Sequence, residues 1–128
     1  MTKKLLVVDD QEGVARVVSR IGSELGYQSK ILTNPAHAVD VFLDYQPDIV
    51  LLDMIMPEKD GIDVLNEMML TGLAARIVLT SGLSNAYLKL AEQLARFHER
   101  TNVSILRKPF RRTELLALLS EPAVAVPA

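Results

Sequence analysis

Four short apolar runs in this 128-residue chain end in residues able to do chemistry. Lys4–Val8 (KLLVV) runs into Asp9-Asp10, and Ile49–Leu52 (IVLL) runs into Asp53. Ile77-Val78-Leu79 ends in Thr80-Ser81-Gly82, and Val103–Leu106 ends in Arg107-Lys108-Pro109. Runs of this kind are what buried parallel strands use. In an open parallel sheet the carboxyl ends of the strands share one edge, where ligands bind. That edge would gather three carboxylates, a hydroxyl and an ammonium. Mg²⁺ is a hard cation that takes oxygen ligands, commonly one or two carboxylates with waters and a phosphate. Asp10 and Asp53 can supply direct ligands, while Asp9 can ligate or hold a metal-bound water. Clustered carboxylates repel one another and push their pKa values up, and a divalent cation relieves that repulsion. A carboxylate can also attack phosphorus to give an aspartyl-phosphate. Such transfer needs in-line positioning and neutralised equatorial oxygens, which Mg²⁺, Lys108 and Thr80 could provide.

The elements that must position these residues alternate from end to end. Glu12–Leu25 places Val14, Val17, Val18, Ile21 and Leu25 at helical spacing, and Gly26 stops it. Tyr27–Leu32 reads as a strand. Asn34-Pro35 supplies an N-cap with proline at the first helical position, and the helix runs to about Tyr45 on Val39 and Phe42. Gln46-Pro47 breaks it, and Met54–Gly61 is a loop punctuated by Pro57 and Asp60-Gly61. Ile62–Leu70 is helical and closed by Gly72. Ser84-Asn85 caps a helix with Tyr87, Leu90, Ala91, Leu94, Ala95 and His98 on one stripe, and Thr113, Leu115, Leu116 and Leu119 belong to the last helix. Five strands alternating with five helices and right-handed crossovers require an α/β doubly wound parallel sheet.

Composition agrees with one globular domain, at 49% hydrophobic and 23% charged residues. A net charge of −2 gives no general reason to bind nucleic acid or an anionic membrane. The absence of cysteine removes disulfides and thiolate metal sites. No segment reaches the ~18 apolar residues of a membrane span, and the N-terminal apolar stretch is too short for a signal peptide, so cytoplasmic residence is expected. Glu121–Ala128 (EPAVAVPA) reads as a flexible tail or linker stub after a domain of residues 1–120.

Taken with their order, VVDD at 7–10, LLDMIMPEKDG at 51–61, VLTSG at 78–82 and LRKPF at 106–110 resemble the receiver domain of two-component response regulators, over residues 3–120. The resemblance is to single-domain chemotaxis-type receivers, and more weakly to receivers found ahead of EAL phosphodiesterase domains. It implies a flavodoxin-like (βα)5 fold with strand order 2-1-3-4-5. By the same resemblance Asp53 is the phosphoacceptor, and Asp9 and Asp10 are the acidic pair that holds Mg²⁺. The main-chain carbonyl of Ile55 is a further metal ligand, Thr80 the switch hydroxyl and Lys108 the phosphate-binding lysine. Pro109 follows a cis bond. The implied donor is a histidine kinase or phosphotransfer protein. The implied output, through self-association or a partner, lies on the face of residues 85–119.

Two features depart from the family pattern. Ile105 stands where an aromatic switch residue is frequent, and the 28 positions from Thr80 to Lys108 are several more than usual, implying an extended helix between them.

Other readings compete with these. Asp9-Asp10 alone could cap the next helix, Asp53 alone could be a turn residue, and Thr80-Ser81-Gly82 could be a turn. Packing gives no reason for all of them to converge with Lys108. His37 reads as a surface residue and His98 as an interface edge. The methionines read as packing, and Arg111-Arg112 as a solvated helix start. A receiver-like module that never cycles phosphate is disfavoured by the complete site. A haloacid-dehalogenase-type phosphatase lacks its second aspartate, because Ile55 stands there. A flavodoxin-type flavin carrier would meet repulsion from the carboxylates.

Overall fold

The computed structural model describes residues 2–82, 85–97 and 102–120. Five parallel strands form one sheet in the order β2-β1-β3-β4-β5. They are β1 (Lys3–Val8), β2 (Tyr27–Leu32), β3 (Ile49–Asp53), β4 (Arg76–Ser81) and β5 (Val103–Arg107). The connecting helices are α1 (Glu12–Glu24), α2 (Ala38–Tyr45), α3 (Gly61–Leu70) and α4 (Asn85–Phe97), with α5 (Arg112–Ser120) closing the fold. The architecture and strand order are those expected.

Two-residue alternation along each strand sends side chains to two separate cores. Leu6, Val8, Val50, Leu52, Ile77 and Leu79 pack with Phe42 of α2, Val64, Leu65 and Met68 of α3, and Ala91 of α4. Leu5, Val7, Leu51, Val78 and Leu106 pack on the other face with Ala15, Val18 and Ile21 of α1 and Leu115 and Leu119 of α5. Both faces of β3 and β4 are therefore covered, and every residue of these two strands is buried.

Chain punctuation follows the local chemistry. Gly26 and Gly72 take positive φ after α1 and α3. Asn34 does accept a capping bond from Ala36 N–H, but what it opens is a 3-10 turn, Pro35–His37, ahead of α2. Gln46 ends α2 in the left-handed region at φ 51°.

Two residues expected on buried helix faces are not buried. Val17 is 50% exposed and Leu90 is 55% exposed. Each lies at the margin of its helix's apolar arc, and a sheet covers less of that arc than sequence spacing alone suggests. Met54, Met56, Met68 and Met69 are buried as expected, and His37 is exposed beside Asp40. Arg111 and Arg112 are exposed, with Arg112 paired to Glu24 of α1. At the amino edge of the sheet, Tyr27 Oη donates to the Leu119 carbonyl at 2.8 Å and buried Arg76 donates to that of Leu118, so the last turn of α5 is held by β2 and β4. α4 is described over 13 residues. The remainder of its expected extension, Ser84, His98 and the 121–128 segment lie outside the described residues.

Candidate functional site

Parallel register fixes which strand ends meet. Val8 pairs with Leu52 and Asp53 with Thr80, so the Asp9-Asp10 turn, Asp53 and Thr80 share one edge. Backbone bonding continues past the strands: Met54 N–H donates to the Thr80 carbonyl at 2.9 Å, and Lys108 N–H to that of Ser81 at 3.1 Å. These bonds set the starting positions of the loops that bear the chemistry. The Lys108–Pro109 bond is cis, as anticipated.

Asp9, Asp10 and Asp53 converge, with one carboxylate oxygen from each lying within 4.8 Å of the others. Asp9 and Asp53 are buried and Asp10 is more open. Asp9 Oδ1 accepts from Gln11 N–H at 2.9 Å, and its Oδ2 accepts from Lys108 Nζ at 2.9 Å. Lys108 Nζ lies 3.5 Å from Asp53 Oδ2, and Ile55 N–H donates to Asp53 Oδ1 at 3.3 Å. Burial pushes the Asp53 carboxyl up to about 6 from 3.8. Lys108 opposes that rise, Asp9 adds to it, the Ile55 amide opposes it, and the Asp10 carboxyl adds to it.

An open pocket of about 390 Å³ lies over these groups, lined by Asp10, Asp53 and Lys108 with Gln11, Ile55, Met56, Pro57 and Gly82. Thr80 is buried beneath it, 3% exposed, rather than on the lining. The loop from Met54 to Asp60 is closed by backbone contact. Gly61 N–H donates to the Met54 carbonyl at 3.0 Å, and a Cβ at Gly61 would sit 2.4 Å from Met54 Cα. Glycine is the residue that admits this approach.

The donor set suits Mg²⁺. Three carboxylate oxygens this close can share one small hard cation and leave positions for water or phosphate. A carboxyl held near pH 6 by burial and acidic neighbours gains from such an ion.

The sequence model of the response regulator receiver domain matches residues 5–120. The chain belongs to that family. It is 35% identical over 79 residues to sporulation initiation phosphotransferase F of Bacillus subtilis, covering 62% of this chain and 64% of that one. It is 25% identical to chemotaxis protein CheY of Halobacterium salinarum, over 98% of this chain and 100% of the relative. Among solved structures, a response regulator signal receiver domain from Bermanella marisrubri superposes with a TM-score of 0.74 at 29% identity, covering 91% of this chain and 94% of that one. The protein is thus a two-component receiver, a signalling domain of the phosphoacceptor type. Among the described residues, no helix is long and apolar enough to cross a membrane.

Asp9, Asp10, Asp53 and Lys108 come together as the sequence reading expected, and Ile55 joins them through its amide as well as on the lining. Met56, Pro57 and Gly82, which lie inside the quoted motifs, also line the pocket. Gln11 is the lining residue that no motif named, and its place directly after Asp9-Asp10 is the signal that could have found it.

Proposed function

We propose that Asp53 accepts a phosphoryl group from a histidine kinase or phosphotransfer protein in a Mg²⁺-dependent reaction. The observation that carries this reading is the convergence of three carboxylates beside a lysine at the mouth of an open pocket. Asp9, Asp10, Asp53 and the Ile55 carbonyl would hold Mg²⁺. When bound, the ion neutralises charge on the phosphoryl oxygens. Asp53 Oδ attacks phosphorus, and the donor's phosphorus–nitrogen bond breaks with its electron pair left on the donor imidazole. Ionised Asp53 is the competent nucleophile, and Lys108 keeps it so by opposing the effect of burial. Lys108 then meets the phosphoryl group as a point charge, and the Thr80 hydroxyl reports its arrival. Hydrolysis at the same site returns the resting carboxylate, so the domain takes part in both halves of its cycle.

Residues 1–120 form the receiver unit. A donor has somewhere to dock: an apolar groove of about 680 Å³ beside the pocket, lined by Val14, Val17, Pro109 and Phe110. Output leaves by the face of residues 85–119, where Leu90 and Phe97 of α4 are exposed.

The deciding experiment offers a small phosphodonor with Mg²⁺ to wild type and Asp53→Asn. Wild type should gain one acid-labile, hydroxylamine-sensitive phosphoryl group and the variant none. Equal labelling would place the acceptor elsewhere.

A further inference from the structure

Gln11 stands at the junction of the acidic pocket and the apolar groove and lines both. Its backbone is fixed by the 2.9 Å bond to Asp9 Oδ1. Its side chain has no matching structural duty. Gln11 is the N-cap residue of α1, with extended φ −87° and ψ 99°, yet it makes no side-chain capping bond and is exposed. Serine, threonine, aspartate or asparagine there would cap the helix. A long amide in place of a short cap is a local conflict of the kind that functional sites tolerate.

The chemistry of phosphate loss shows a use for that amide. To hydrolyse an aspartyl-phosphate, a water oxygen must approach phosphorus opposite the Asp53 oxygen, from the mouth of the pocket. The new oxygen–phosphorus bond forms as the bond to Asp53 Oδ breaks, with its electron pair returning to the carboxylate. The products are the Asp53 carboxylate and dihydrogen phosphate, which exchanges its protons with solvent. Asp53 is the leaving group and cannot orient that water. Asp9 is occupied by Lys108 and the Gln11 amide N–H. Ile55 and Pro57 present hydrocarbon, Met56 a thioether with no proton to donate, and Gly82 no side chain, while Lys108 only donates. With Asp10 assigned to the metal, Gln11 is the lining residue, among those described, that can both accept a hydrogen bond from a water and donate one to a phosphoryl oxygen.

We infer that Gln11 orients the hydrolytic water and so sets the lifetime of the phosphoryl group. The inference rests on Asp53 being the acceptor. The test follows loss of the phosphoryl group after donor removal, with Mg²⁺ present, in wild type, Gln11→Leu and Gln11→Glu. Leucine keeps most of the bulk without polarity, and loss should slow by tenfold or more, toward the roughly hundredfold cost of a reactant misplaced by about 1 Å. Glutamate keeps length and the acceptor but loses the donor, so loss should slow less than in Gln11→Leu. Mg²⁺ affinity by calorimetry should be unchanged in Gln11→Leu. Hydrolysis at the wild-type rate in Gln11→Leu overturns the inference, as does equal slowing in both variants or a parallel loss of Mg²⁺ affinity in Gln11→Leu. A wild type that takes no label on Asp53 instead defeats the phosphoacceptor reading itself, which keeps the two failures distinct.

Discussion

Lys108 Nζ donates a 2.9 Å hydrogen bond to Asp9 Oδ2, and its nearest approach to Asp53 is the longer 3.5 Å. The ammonium is thus anchored on the more buried partner, whose side chain is 5% exposed, and relieves Asp53 only in part. This geometry makes Lys108 a neutraliser of the carboxylate site in addition to its proposed contact with phosphate. Removing it leaves Asp9 with the hydrogen bond from the Gln11 amide and sets two buried carboxylates against each other. Lys108→Ala should still fold but lose about 1–3 kcal/mol at pH 7.5 without Mg²⁺, the range for an unpaired and partly buried charge. Millimolar Mg²⁺ should return much of that loss. Thermal melts with and without the ion check this, and a variant whose deficit ignores Mg²⁺ would show Lys108 acting outside the carboxylate site.

Asp53 gives stability a pH dependence of definite sign. Its folded pKa of about 6 lies above the ordinary 3.8, so the folded state holds the proton more tightly. Its contribution is fully present below about pH 4 and is lost as pH rises through about 6. Without Mg²⁺, Asp53→Asn should therefore be more stable than wild type by about 1–2 kcal/mol at pH 7.5, after allowing for screening at the pocket mouth. The advantage should shrink toward pH 4. Mg²⁺, which binds the ionised form, should reverse the ranking at neutral pH. Urea titrations across that pH range test it, and a gap that does not vary with pH would remove the burial argument.

Much of this was legible because each candidate site residue follows an apolar run. Val7-Val8 and Leu51-Leu52 are buried on both faces, which fixes them as inner strands and forces Asp9 and Asp53 to one edge. Strand order follows from register between strands far apart in sequence, so local spacing alone could not supply it. The resemblance did. Side-chain economy was not legible either. Lys108 turning to Asp9, Thr80 lying under the pocket, and Gln11 forgoing its cap depend on distances no spacing encodes. Val17 and Leu90 show the same limit from another side, since periodicity marks an arc and tertiary packing decides how much of it is covered.

Gly61 should be a determinant of the metal site although it bears no ligand. A methyl there would lie 2.4 Å from Met54 Cα and 2.7 Å from its carbonyl oxygen, and backbone atoms cannot swing aside as a side-chain tip can. Gly61→Ala should open the loop that carries Ile55 while the helices persist in circular dichroism. Mg²⁺ affinity should fall about tenfold, on the scale of lost support around a ligand set. Unchanged affinity by calorimetry would mean that the loop adapts without moving Ile55.

Ile105 should shape how the signal leaves the site. It is partly buried against the core that contains Ala91 of α4, where a larger aromatic switch residue is absent. On the proposed reading, movement at Thr80 would then pass outward by repacking of Ile105 and α4. The helix presents Leu90 at 55% exposure and Phe97 at 80%, with Glu92 and Arg96 also exposed, a mixture suited to a reversible and register-specific contact. A beryllofluoride mimic with Mg²⁺ should therefore change self-association or partner binding through this face. Leu90→Glu or Arg96→Glu should reduce that response severalfold, because a charge on the apolar stripe or a reversed charge beside it is costly at an interface. Phosphorylation of Asp53 should continue at the wild-type level in both. Hydrogen exchange with and without the mimic is the arbiter: changes confined to segments other than Thr80 to Leu119 would move the output surface away from α4, β5 and α5.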